Sequence, residues 1–528
     1  MLTAADFGVP RLFNAATYFV DRHIDDGRGG HVAIECGDER ISYAQVAEGV
    51  NRFGSALRTD LDVRPEERVA LLLHDTPEFA YAFFGAMKIG AVAVPLNTLL
   101  KGDDYRHFLA DSGAVVLVVS AALLPVVQTI PQATLRRLRR VVVVGTRAPA
   151  DAMSFDDLLG RGTPSLDGEP TTSDDAAFWL YSSGSTGAPK ACVHLHHDMV
   201  VCANTFARHV LGITASDRCF SVAKLFFAYG LGNALYFPFS VGATTVLMPG
   251  PPAAARVYET IERHRPTLFF SVPTGYVMLL AERRDPEFDL SSIRLAVSAG
   301  EALPPALFNR FAERFGLEIL DGIGSTEALH MFIANRPGAV RPGSSGRVVP
   351  GYEARVLDGD GEPVPVGEVG NLWISGDSVC ASYWNQHDKT RDTIQGVWLK
   401  TGDKYHCDAD GYYWYAGRSD DMLKVGGQWV SPIEVENAML LHADVQECAV
   451  VGYDDGDGLT KPIAFVVLKQ EVAGTPERAA ALEEFVRSRI ADYKRPRRVQ
   501  FVAELPKTAT GKIQRFKLRE KARERPSR

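Results

Sequence analysis

The stretch VALLLHDTPEFAYAFFGAMKIGAVAVPLN, residues 69–97, contains a strand, a helix and a second strand in immediate succession. Val69–Leu73 and Ala91–Asn97 are short apolar runs of the kind that form buried strands, whereas Pro77–Gly90 carries apolar residues at helical spacing. A strand–helix–strand unit predicts parallel strands in a sheet whose faces are covered by helices. The fold class expected from this stretch is therefore α/β.

The same alternation continues along the chain and then changes. Apolar runs recur at Ala114–Ser120 and Arg140–Gly145, and later in AAFWL, TLFFSVP, RLAVSAG and LEILDGIGS, which predicts layered α/β subdomains. From about Gly343, denser glycine and proline with short alternating strands favour an antiparallel, distorted β-barrel-like part. We expect a large N-terminal domain built from these parts, followed by a small mobile α+β domain.

The predicted domain boundary lies at the acidic pair Asp420–Asp421. Residues 1–419 would form the large domain, 420–421 a hinge, and 422–528 the small C-terminal domain. The small part contains helix-period segments at Pro432–Leu441 and Pro476–Ala491 together with strand-like runs. This is enough for an independent α+β unit.

Composition excludes several classes of protein. The 528 residues are 46% hydrophobic and 23% charged, with 57 Lys and Arg against 65 Asp and Glu. A net charge of −8 without a long basic block makes nucleic acid an unfavourable partner. The seven cysteines are scattered without a CxxC pair, which favours reduced thiols. No apolar run is long enough for a membrane span, so we expect a cytoplasmic protein; the sequence leaves a homodimer open.

The segment YSSGSTGAPK, Tyr181–Lys190, follows the apolar strand AAFWL. It combines hydroxyl side chains, glycines that let the backbone approach a ligand, and a lysine, which is the chemistry of a loop around a polyphosphate. The Walker A spacing is absent, and a Ser/Gly-rich turn without a ligand is the alternative. The candidate nucleotide-binding residues of this segment are Ser182, Ser183, Gly184, Ser185, Thr186, Gly187 and Lys190.

Further motifs follow in a fixed order. They are SAGEALP (298–304), DGIGSTE (321–327), TGD (401–403), GRSDDMLKVGGQWVSPIEVE (417–436) and PKTATGKIQR (506–515). Together with the Ser/Gly segment they resemble the adenylate-forming superfamily of acyl-CoA ligases, carrier-protein-loading domains and luciferases. Within it, AKLFFAYGLGN and DGIGSTEALHMF are most similar to the benzoate-CoA ligase group. The resemblance implies ATP, Mg²⁺ and coenzyme A.

The motifs suit the transfer of an adenylyl group. A carboxylate and ATP are both anions, so forming an acyl-AMP needs groups that neutralise charge as diphosphate leaves. Thr186 and Glu327 are natural oxygen ligands for a Mg²⁺ ion that bridges phosphates; an acid at a helix N-terminus is the alternative for Glu327. Asp403 suits the ribose hydroxyls, and the resemblance implies that Arg418 adds a ribose or phosphate contact. The other predicted cofactor-binding residues are Gly300, Glu301, Ala302, Asp321, Gly322, Ile323, Thr326 and Lys424.

The adenine is expected between Gly300–Ala302 and Asp321–Ile323. Ile323 stands where the superfamily usually carries an aromatic residue, so apolar packing on the purine replaces ring stacking. The benzoate-type branch shares this departure.

The resemblance assigns the adenylation lysine to Lys512, which completes a catalytic set with Thr186 and Glu327; an exposed surface lysine is the alternative. Two half-reactions around one acyl group require a rearrangement, and the family's hinge position matches Asp420. After rotation, Gly426 and Gly427 would let the pantetheine arm of CoA pass close to the backbone. A simple hairpin turn is compatible with the same residues.

The acyl pocket is predicted to suit an aromatic acid. Small residues leave room for a flat ring between apolar walls, and FFAYGLGN offers no acid for an amino-acid ammonium group. His330 either hydrogen-bonds the carboxylate or a ring substituent, or is a packing histidine. The string HLHH at 194–197 lacks the acids or cysteines of a transition-metal site. The predicted pocket residues are Phe227, Ala228, Tyr229, Gly230, Gly324, His330 and Met331.

The expected function is an ATP-dependent aryl-CoA ligase. It would convert benzoate or a hydroxy- or aminobenzoate, ATP and CoA into aryl-CoA, AMP and diphosphate through an aryl-AMP, with domain rotation between the half-reactions. One alternative is a stand-alone adenylation enzyme that loads an aryl acid onto a separate carrier protein. Another is a non-catalytic nucleotide-binding homologue, against which the intact Lys190, Glu327, Asp403 and Lys512 count.

Overall fold

A computed structural model describes residues 2–145, 148–149, 152–182, 189–284, 286–419, 421–425, 428–454, 460–470, 472–507 and 513–523. The strands in chain order are β1 Val32–Cys36, β2 Glu39–Ser42, β3 Arg68–Leu72, β4 Val92–Pro95, β5 Val116–Ser120, β6 Arg140–Val144, β7 Met153–Ser154, β8 Ala176–Ser182, β9 Lys190–Leu195, β10 Arg218–Ser221, β11 Thr244–Leu247, β12 Leu268–Ser271, β13 Leu295–Ser298, β14 Ile319–Gly324, β15 Met331–Ala334, β16 Arg347–Val348, β17 Glu353–Leu357, β18 Gly370–Ser375, β19 Ser382–Tyr383, β20 Ile394–Gln395, β21 Trp398–Cys407, β22 Tyr413–Arg418, β23 Leu423–Val425, β24 Gln428–Val430, β25 Val445–Asp454, β26 Thr460–Leu468 and β27 Arg498–Phe501.

The helices are α1 Arg22–Asp25, α2 Tyr43–Thr59, α3 Pro77–Lys88, α4 Gly102–Ser112, α5 Leu124–Gln128, α6 Phe155–Arg161, α7 Asp198–Cys202, α8 Ala228–Leu231, α9 Phe237–Val241, α10 Ala254–His264, α11 Pro273–Ala281, α12 Pro305–Phe315, α13 His387–Thr393, α14 Pro432–Leu440, α15 Pro476–Arg487 and α16 Arg515–Arg523. Short 3₁₀ stretches occur at Ala4–Phe7, Ala121–Leu123, Gln132–Thr134 and Asp492–Lys494, and π-helical stretches at Thr17–Asp21, Ala203–Arg208 and Gly232–Tyr236.

Two large mixed sheets form the N-terminal part. The first has the order β16-β15-β14-β13-β12-β10-β11-β1-β2, and the second β19-β9-β8-β4-β3-β5-β6-β7. The central strands of each sheet run parallel, while β9 and β19 at one edge of the second sheet, and β15 and β16 at one edge of the first, are antiparallel additions. The predicted parallel pair, β3 with β4, is in register from Arg68 opposite Val92.

One core joins the two sheets. Buried side chains of β1 and β12 from the first sheet and of β3 and β5 from the second pack in the same cluster as those of α2 and α3. Helix α2 begins at a capping box, because the Ser42 hydroxyl accepts from the Gln45 amide at 3.2 Å and the Gln45 side chain accepts from the Ser42 amide at 2.8 Å. Helix α3 starts at Pro77, which lacks the amide hydrogen that a first-turn residue leaves unpaired.

The rest of the chain forms smaller sheets. Strands β17, β18, β20, β21 and β22 make a five-stranded antiparallel sheet, which is the antiparallel part expected from the sequence. Strands β23 and β24 pair as a hairpin, and β25, β26 and β27 form a three-stranded sheet packed with α14 and α15. Within the described ranges, no sheet takes strands from both sides of residue 420.

The predicted α/β class with a smaller α+β C-terminal unit is confirmed. All seven cysteines are free thiols. In the part of the chain that the structure describes, no helix is both long and apolar enough to cross a bilayer.

Candidate active site

The β8–β9 hairpin positions the predicted phosphate loop. Ser182 at the end of β8 lies opposite Lys190 at the start of β9, so the two residues flank the intervening segment. The Cys192 thiol, two residues into β9, lies 4.0 Å from the Ser182 hydroxyl. The predicted loop residues Ser183, Gly184, Ser185, Thr186 and Gly187 fall outside the described residues.

Glu327 meets both flanking residues of this hairpin. Its Oε1 lies 3.8 Å from Lys190 Nζ and accepts from the Ser182 hydroxyl at 3.4 Å. The side chains of Glu327 and Lys190 are each 16% exposed. Glu327 lies in a turn between β14 and β15, so the interpretation as an acid at a helix N-terminus is wrong. The turn instead brings a carboxylate to the end of a neighbouring sheet.

Tyr383 completes this cluster and was not expected from the sequence. Its hydroxyl donates to Glu327 Oε1 at 2.8 Å, and Lys190 Nζ lies 4.3 Å from its ring centroid. Burial and then the Glu327 charge raise the pKa of Tyr383 far above its usual value, which keeps the hydroxyl a donor. The residue arrives through β19, where Tyr383 lies opposite Cys192 of β9.

The predicted adenine-binding residues follow adjacent parallel strands. Ser298 of β13 lies opposite Ser271 of β12 and Asp321 of β14, and all three side chains are buried. Gly300, just beyond β13, has φ +91°, a left-handed conformation that favours glycine. Glu301 and Ala302 follow it and are half-buried. The structure therefore brings the two predicted walls together at neighbouring strand ends.

Asp321 is buried with weak polar contact. Its Oδ2 accepts from the Leu303 amide at 3.4 Å, and Oδ1 has no hydrogen-bond partner among the described residues. Burial raises the pKa of Asp321 to about 8, against the opposing effect of the hydrogen bond from the Leu303 amide. The carboxyl is therefore largely protonated at neutral pH.

Backbone proximity in β14 makes its glycines necessary. A Cβ on Gly322 would overlap the Met331 side chain, and a Cβ on Gly324 would lie 2.5 Å from the carbonyl oxygen of His330. Ile323 between them is half-buried and packs against the main core. Thr326 in the following turn accepts through its carbonyl from His194 at 2.8 Å.

Asp403 and Arg418 lie opposite each other on β21 and β22. Nη1 of Arg418 is 3.2 Å from Asp403 Oδ1, and it also donates to the Thr401 carbonyl at 3.1 Å. Asp403 is buried, whereas the Arg418 side chain is 43% exposed. The pair places a carboxylate and a guanidinium side by side, as the predicted ribose and phosphate contacts require.

Tyr229 and Gly324, two of the predicted acyl-pocket residues, lie against His330. Its ring centroid lies 5.5 Å from that of Tyr229 and 4.5 Å from that of Phe237. Gly230 lies where a Cβ would overlap the Lys224 carbonyl oxygen. Met331 is buried, and Phe227 and Ala228 are half-buried at the start of α8. Small and aromatic residues thus line one region, with a buried imidazole among them.

The HLHH histidines are engaged in internal hydrogen bonds. Nδ1 of His194 lies 2.7 Å from Asp198, His196 accepts from the Ala15 amide at 3.0 Å, and Nδ1 of His197 lies 2.9 Å from the Ser173 carbonyl. The His196 contact ties the turn after β9 to the N-terminal segment, and all three contacts fit a structural role.

The residues predicted to act in the C-terminal part divide into two groups. Lys424 is exposed on β23, within the β23–β24 hairpin. Asp420, Gly426, Gly427 and Lys512 lie outside the described residues, so their roles remain predictions. Arg515, three residues beyond Lys512, pairs with Glu436 of α14 through contacts of 2.5 and 3.1 Å.

Two known protein families match most of the chain. Residues 21–384 match the AMP-binding enzyme family, and residues 434–512 match the AMP-binding enzyme C-terminal domain. The chain belongs to the AMP-binding enzyme family. This AMP-binding enzyme carries Ser182, Lys190, Glu327 and Tyr383 within the first matched region.

Its relatives lie in the group that the motifs indicated. A benzoate-CoA ligase from Thauera aromatica is 48% identical over 512 residues, which cover 97% of this chain and 96% of the relative. A solved anthranilate-CoA ligase, AuaEII in complex with anthranoyl-AMP, superposes on this AMP-binding enzyme with a TM-score of 0.94, 46% identity and 99% coverage of both chains. A benzoate-CoA ligase structure from Burkholderia xenovorans LB400 gives a TM-score of 0.88 and 46% identity, covering 96% of this chain and 100% of that one. The predicted resemblance to the benzoate-CoA ligase group is confirmed.

Proposed function

We propose that this protein is an AMP-forming aryl-CoA ligase that activates benzoate or a hydroxy- or aminobenzoate. The observation that carries the proposal is the meeting of Glu327 with Lys190 and Ser182 at the two ends of the β8–β9 hairpin. It joins a cation, a carboxylate and a hydroxyl where the predicted phosphate loop begins and ends. The high identity to aryl-CoA ligases over nearly the whole chain supports the acid and the thiol acceptor.

In the first half-reaction, a carboxylate oxygen of the aryl acid attacks the α-phosphorus of ATP. The bond from this phosphorus to the bridging oxygen breaks, and diphosphate leaves with its electron pair. Lys190 offsets negative charge on the phosphates, and Lys512 would bridge the attacking carboxylate and the α-phosphate. The acid is thereby converted into a mixed anhydride, the aryl-AMP.

The residues around Glu327 fit a magnesium ion. Tyr383 and Ser182 approach its carboxylate as neutral donors, and Lys190 stays 3.8 Å away, so much of the negative charge is left for a cation. Glu327 and Thr186 would hold the ion, consistent with the oxygen ligands that Mg²⁺ prefers. When bound, Mg²⁺ neutralises charge on the diphosphate that departs.

In the second half-reaction, the CoA thiolate attacks the carbonyl carbon of the aryl-AMP. A carbon–sulfur bond forms, the bond to the phosphate oxygen breaks, and AMP leaves. Residues 422–528 rotate about Asp420 to exchange Lys512 for the segment with Gly426 and Gly427, which admits the pantetheine arm. Asp403 and Arg418 hold the ribose and phosphate of the nucleotide during both steps.

The test is direct detection of product by mass spectrometry. The purified protein is incubated with MgATP, CoA and, separately, benzoate, 2-aminobenzoate, 3-hydroxybenzoate, 4-hydroxybenzoate, cyclohexanecarboxylate and hexanoate. Preferential formation of an aryl-CoA from aromatic acids supports the proposal. AMP and diphosphate without a CoA ester would indicate loading of a separate carrier protein, and no turnover of any acid would favour a non-catalytic homologue.

A further inference from the structure

The turn that carries Glu327 has an uncommon backbone conformation. The Leu329 amide donates to the Thr326 carbonyl at 3.2 Å, which closes a four-residue turn around Glu327 and Ala328. The His330 amide donates to the Ala328 carbonyl at 2.8 Å across Leu329, whose φ is +65°. A three-residue turn with a positive φ at its central residue is rare and strained. Such a conformation persists only where the surrounding structure holds it in place.

The imidazole of His194 contributes to holding this turn. Its Nε2 donates to the Thr326 carbonyl at 2.8 Å, since a carbonyl oxygen can only accept. Nδ1, the other ring nitrogen, lies 2.7 Å from Oδ2 of Asp198, so one hydrogen lies between these two atoms. The side chains of His194 and Asp198 are both fully buried. The ring is therefore bound through both nitrogens, and the two contacts fix its orientation.

Asp198 and His194 are anchored in turn to the β8–β9 hairpin. Oδ2 of Asp198 also accepts from the Leu195 amide at 3.1 Å, and Oδ1 lies 3.2 Å from Nε2 of His197. The His194 ring stacks on Phe178 of β8 with centroids 5.1 Å apart and an interplanar angle of 18°. The pair is thus part of the hairpin, and the Thr326 carbonyl is attached to the hairpin through it.

Strand β9 thereby places two charged groups of the candidate site. It begins at Lys190 and carries His194 four residues later, on the same face of the strand. Lys190 reaches Oε1 of Glu327 directly, at 3.8 Å, whereas His194 binds the main chain of the residue before Glu327. A hydrogen bond is stronger in a buried setting than in water. His194 therefore restricts the main chain from which the Glu327 carboxylate projects.

We propose that Asp198 and His194 are positioning residues of the metal–nucleotide site, which hold the strained turn through the Thr326 carbonyl and so present Glu327 to the magnesium ion. The inference rests on the proposed ligase function and adds to it two residues outside the phosphate loop. Neither side chain touches ATP or the ion. Their effect is exerted through the hydrogen bond from Nε2 of His194 to the main chain.

The test is the affinity of the protein for ATP, measured by calorimetry without an aryl acid, once with Mg²⁺ and once with EDTA. The Kd in EDTA divided by the Kd with Mg²⁺ reports how strongly the ion tightens binding. Loss of a group that orients a metal ligand typically weakens metal binding about 10- to 100-fold. A purely structural role would instead weaken ATP binding equally under both conditions, and the ratio would not change.

Two substitutions separate the contacts of the ring. The amide of His194→Asn corresponds to Nδ1, so it keeps a donor near Asp198 but does not reach Thr326. The amide of His194→Gln corresponds to Nε2 and keeps the donor to the Thr326 carbonyl. We expect the ratio to fall at least fivefold in His194→Asn and to stay within twofold of wild type in His194→Gln. The affinity for ATP in EDTA should stay within threefold in both variants.

Glu327→Gln tests whether the effect passes through the carboxylate. It should itself remove most of the effect of Mg²⁺, and adding His194→Asn should then change the ratio less than twofold. His23→Asn is the matched control, since His23 is also fully buried and its Nε2 lies 2.6 Å from the Phe239 carbonyl. If His194→Asn does not fold, the double variant His194→Met with Asp198→Asn, which removes the buried carboxylate together with the ring, takes its place.

An unchanged ratio in His194→Asn, or an equal fall in His194→Gln or in His23→Asn, would overturn the proposal. A further fivefold fall when His194→Asn is added to Glu327→Gln would also overturn it. Wild-type protein that binds no ATP under either condition would overturn the proposed ligase function itself. ATP binding that Mg²⁺ tightens equally in wild type and in His194→Asn overturns this inference alone.

Discussion

Asp421 and Arg519 form an ion pair in which Nη1 lies 2.6 Å from Oδ1. The other carboxylate oxygen of Asp421 lies 3.6 Å from Nε of Arg515, which itself pairs with Glu436 of α14. The second residue of the predicted 420–421 hinge is thus tied to the helix that follows the predicted catalytic lysine. A pivot at Asp420 would move Asp421, α14 and α16 together.

Asp420→Pro should impair the second half-reaction selectively. Proline fixes φ near −65° and removes the amide hydrogen, which restricts rotation at the predicted pivot. We expect formation of benzoyl-AMP, trapped with hydroxylamine, to stay within threefold of wild type, while thioester formation from supplied benzoyl-AMP and CoA falls at least tenfold. Asp420→Ala, which leaves φ free, is the control. Unchanged thioester formation in the proline variant would remove the hinge assignment.

Lys512→Ala should abolish adenylation. Loss of a cation that offsets developing charge at the α-phosphate predicts a fall of about 100-fold or more in ATP–diphosphate exchange. Thioester formation from supplied benzoyl-AMP should be largely retained. Lys507→Ala serves as the control, because Lys507 is held by Glu447 at 2.8 Å. Equal loss of both half-reactions in Lys512→Ala would refute its assigned role.

Tyr383→Phe should reduce adenylation through Glu327. The substitution keeps the ring beside Lys190 but removes the hydroxyl that donates to Oε1. A hydrogen bond to a charged group contributes about 1.5–3 kcal/mol, so kcat/KM for ATP in diphosphate exchange should fall about tenfold or more. Tyr412→Phe is the matched control, since that hydroxyl donates to the Ala339 carbonyl at 3.0 Å. Wild-type exchange in Tyr383→Phe would show that the contact is dispensable.

Arg515→Met should loosen the C-terminal unit. It leaves Glu436 buried without its bidentate partner, and breaking a buried pair in this way costs about 3–5 kcal/mol. Amide hydrogen exchange in α14 and β25 should accelerate by roughly 100-fold to several thousand-fold, because the Val450 amide of β25 also donates to Glu436 at 2.6 Å. The double variant Arg515→Met with Glu436→Gln should recover much of the protection. No change in exchange would contradict the structural importance of the pair.

Asp321→Asn should alter the pH dependence of stability. Burial raises the folded pKa of Asp321 to about 8 from an ordinary value of 3.8, so between these values the folded state binds more protons than the unfolded state. This group therefore makes wild type lose stability as pH rises from about 4 to 8, by at most about 1.4 kcal/mol per pH unit. Urea unfolding is measured at pH 5, 6, 7 and 8. The free energy of unfolding of the Asn variant should rise relative to that of wild type at each step in pH. If the difference in free energy of unfolding between the two proteins is the same at all four pH values, Asp321 does not titrate in this range.

The sequence predicts the strands and helices that are determined by a local pattern of apolar residues. The apolar runs around Val69 and Ala91 became β3 and β4, and the intervening segment became α3, because buried parallel strands and their crossover helix have a strong local signature. The second C-terminal helix ends at Arg487 rather than at the predicted Ala491, since helix ends depend on few residues. The motifs likewise assign Lys190 and Glu327 to one site, and their side chains lie 3.8 Å apart.

Sequence patterns do not identify residues whose contacts depend on pairing between distant segments of the chain. Tyr383 sits in a two-residue edge strand, too short for a periodic signal, and reaches Glu327 only because β19 pairs with β9. Asn233 lies in an apolar helical stretch, and its contact with His330 at 3.1 Å joins segments that are far apart in the sequence. Such contacts follow from tertiary arrangement, which single-sequence patterns do not encode.

The pairing of Ser382 with Val193 also determines when, during synthesis, strand β9 gains its second neighbouring strand. Strand β9 leaves the ribosome early and has β8 on one side, but its other edge stays open until roughly 190 further residues have been made, or about 10–40 s at ordinary translation rates. An open strand edge is a template for aberrant association between chains. Nascent chains that end before Ser382 would therefore expose this edge together with an unfinished phosphate site.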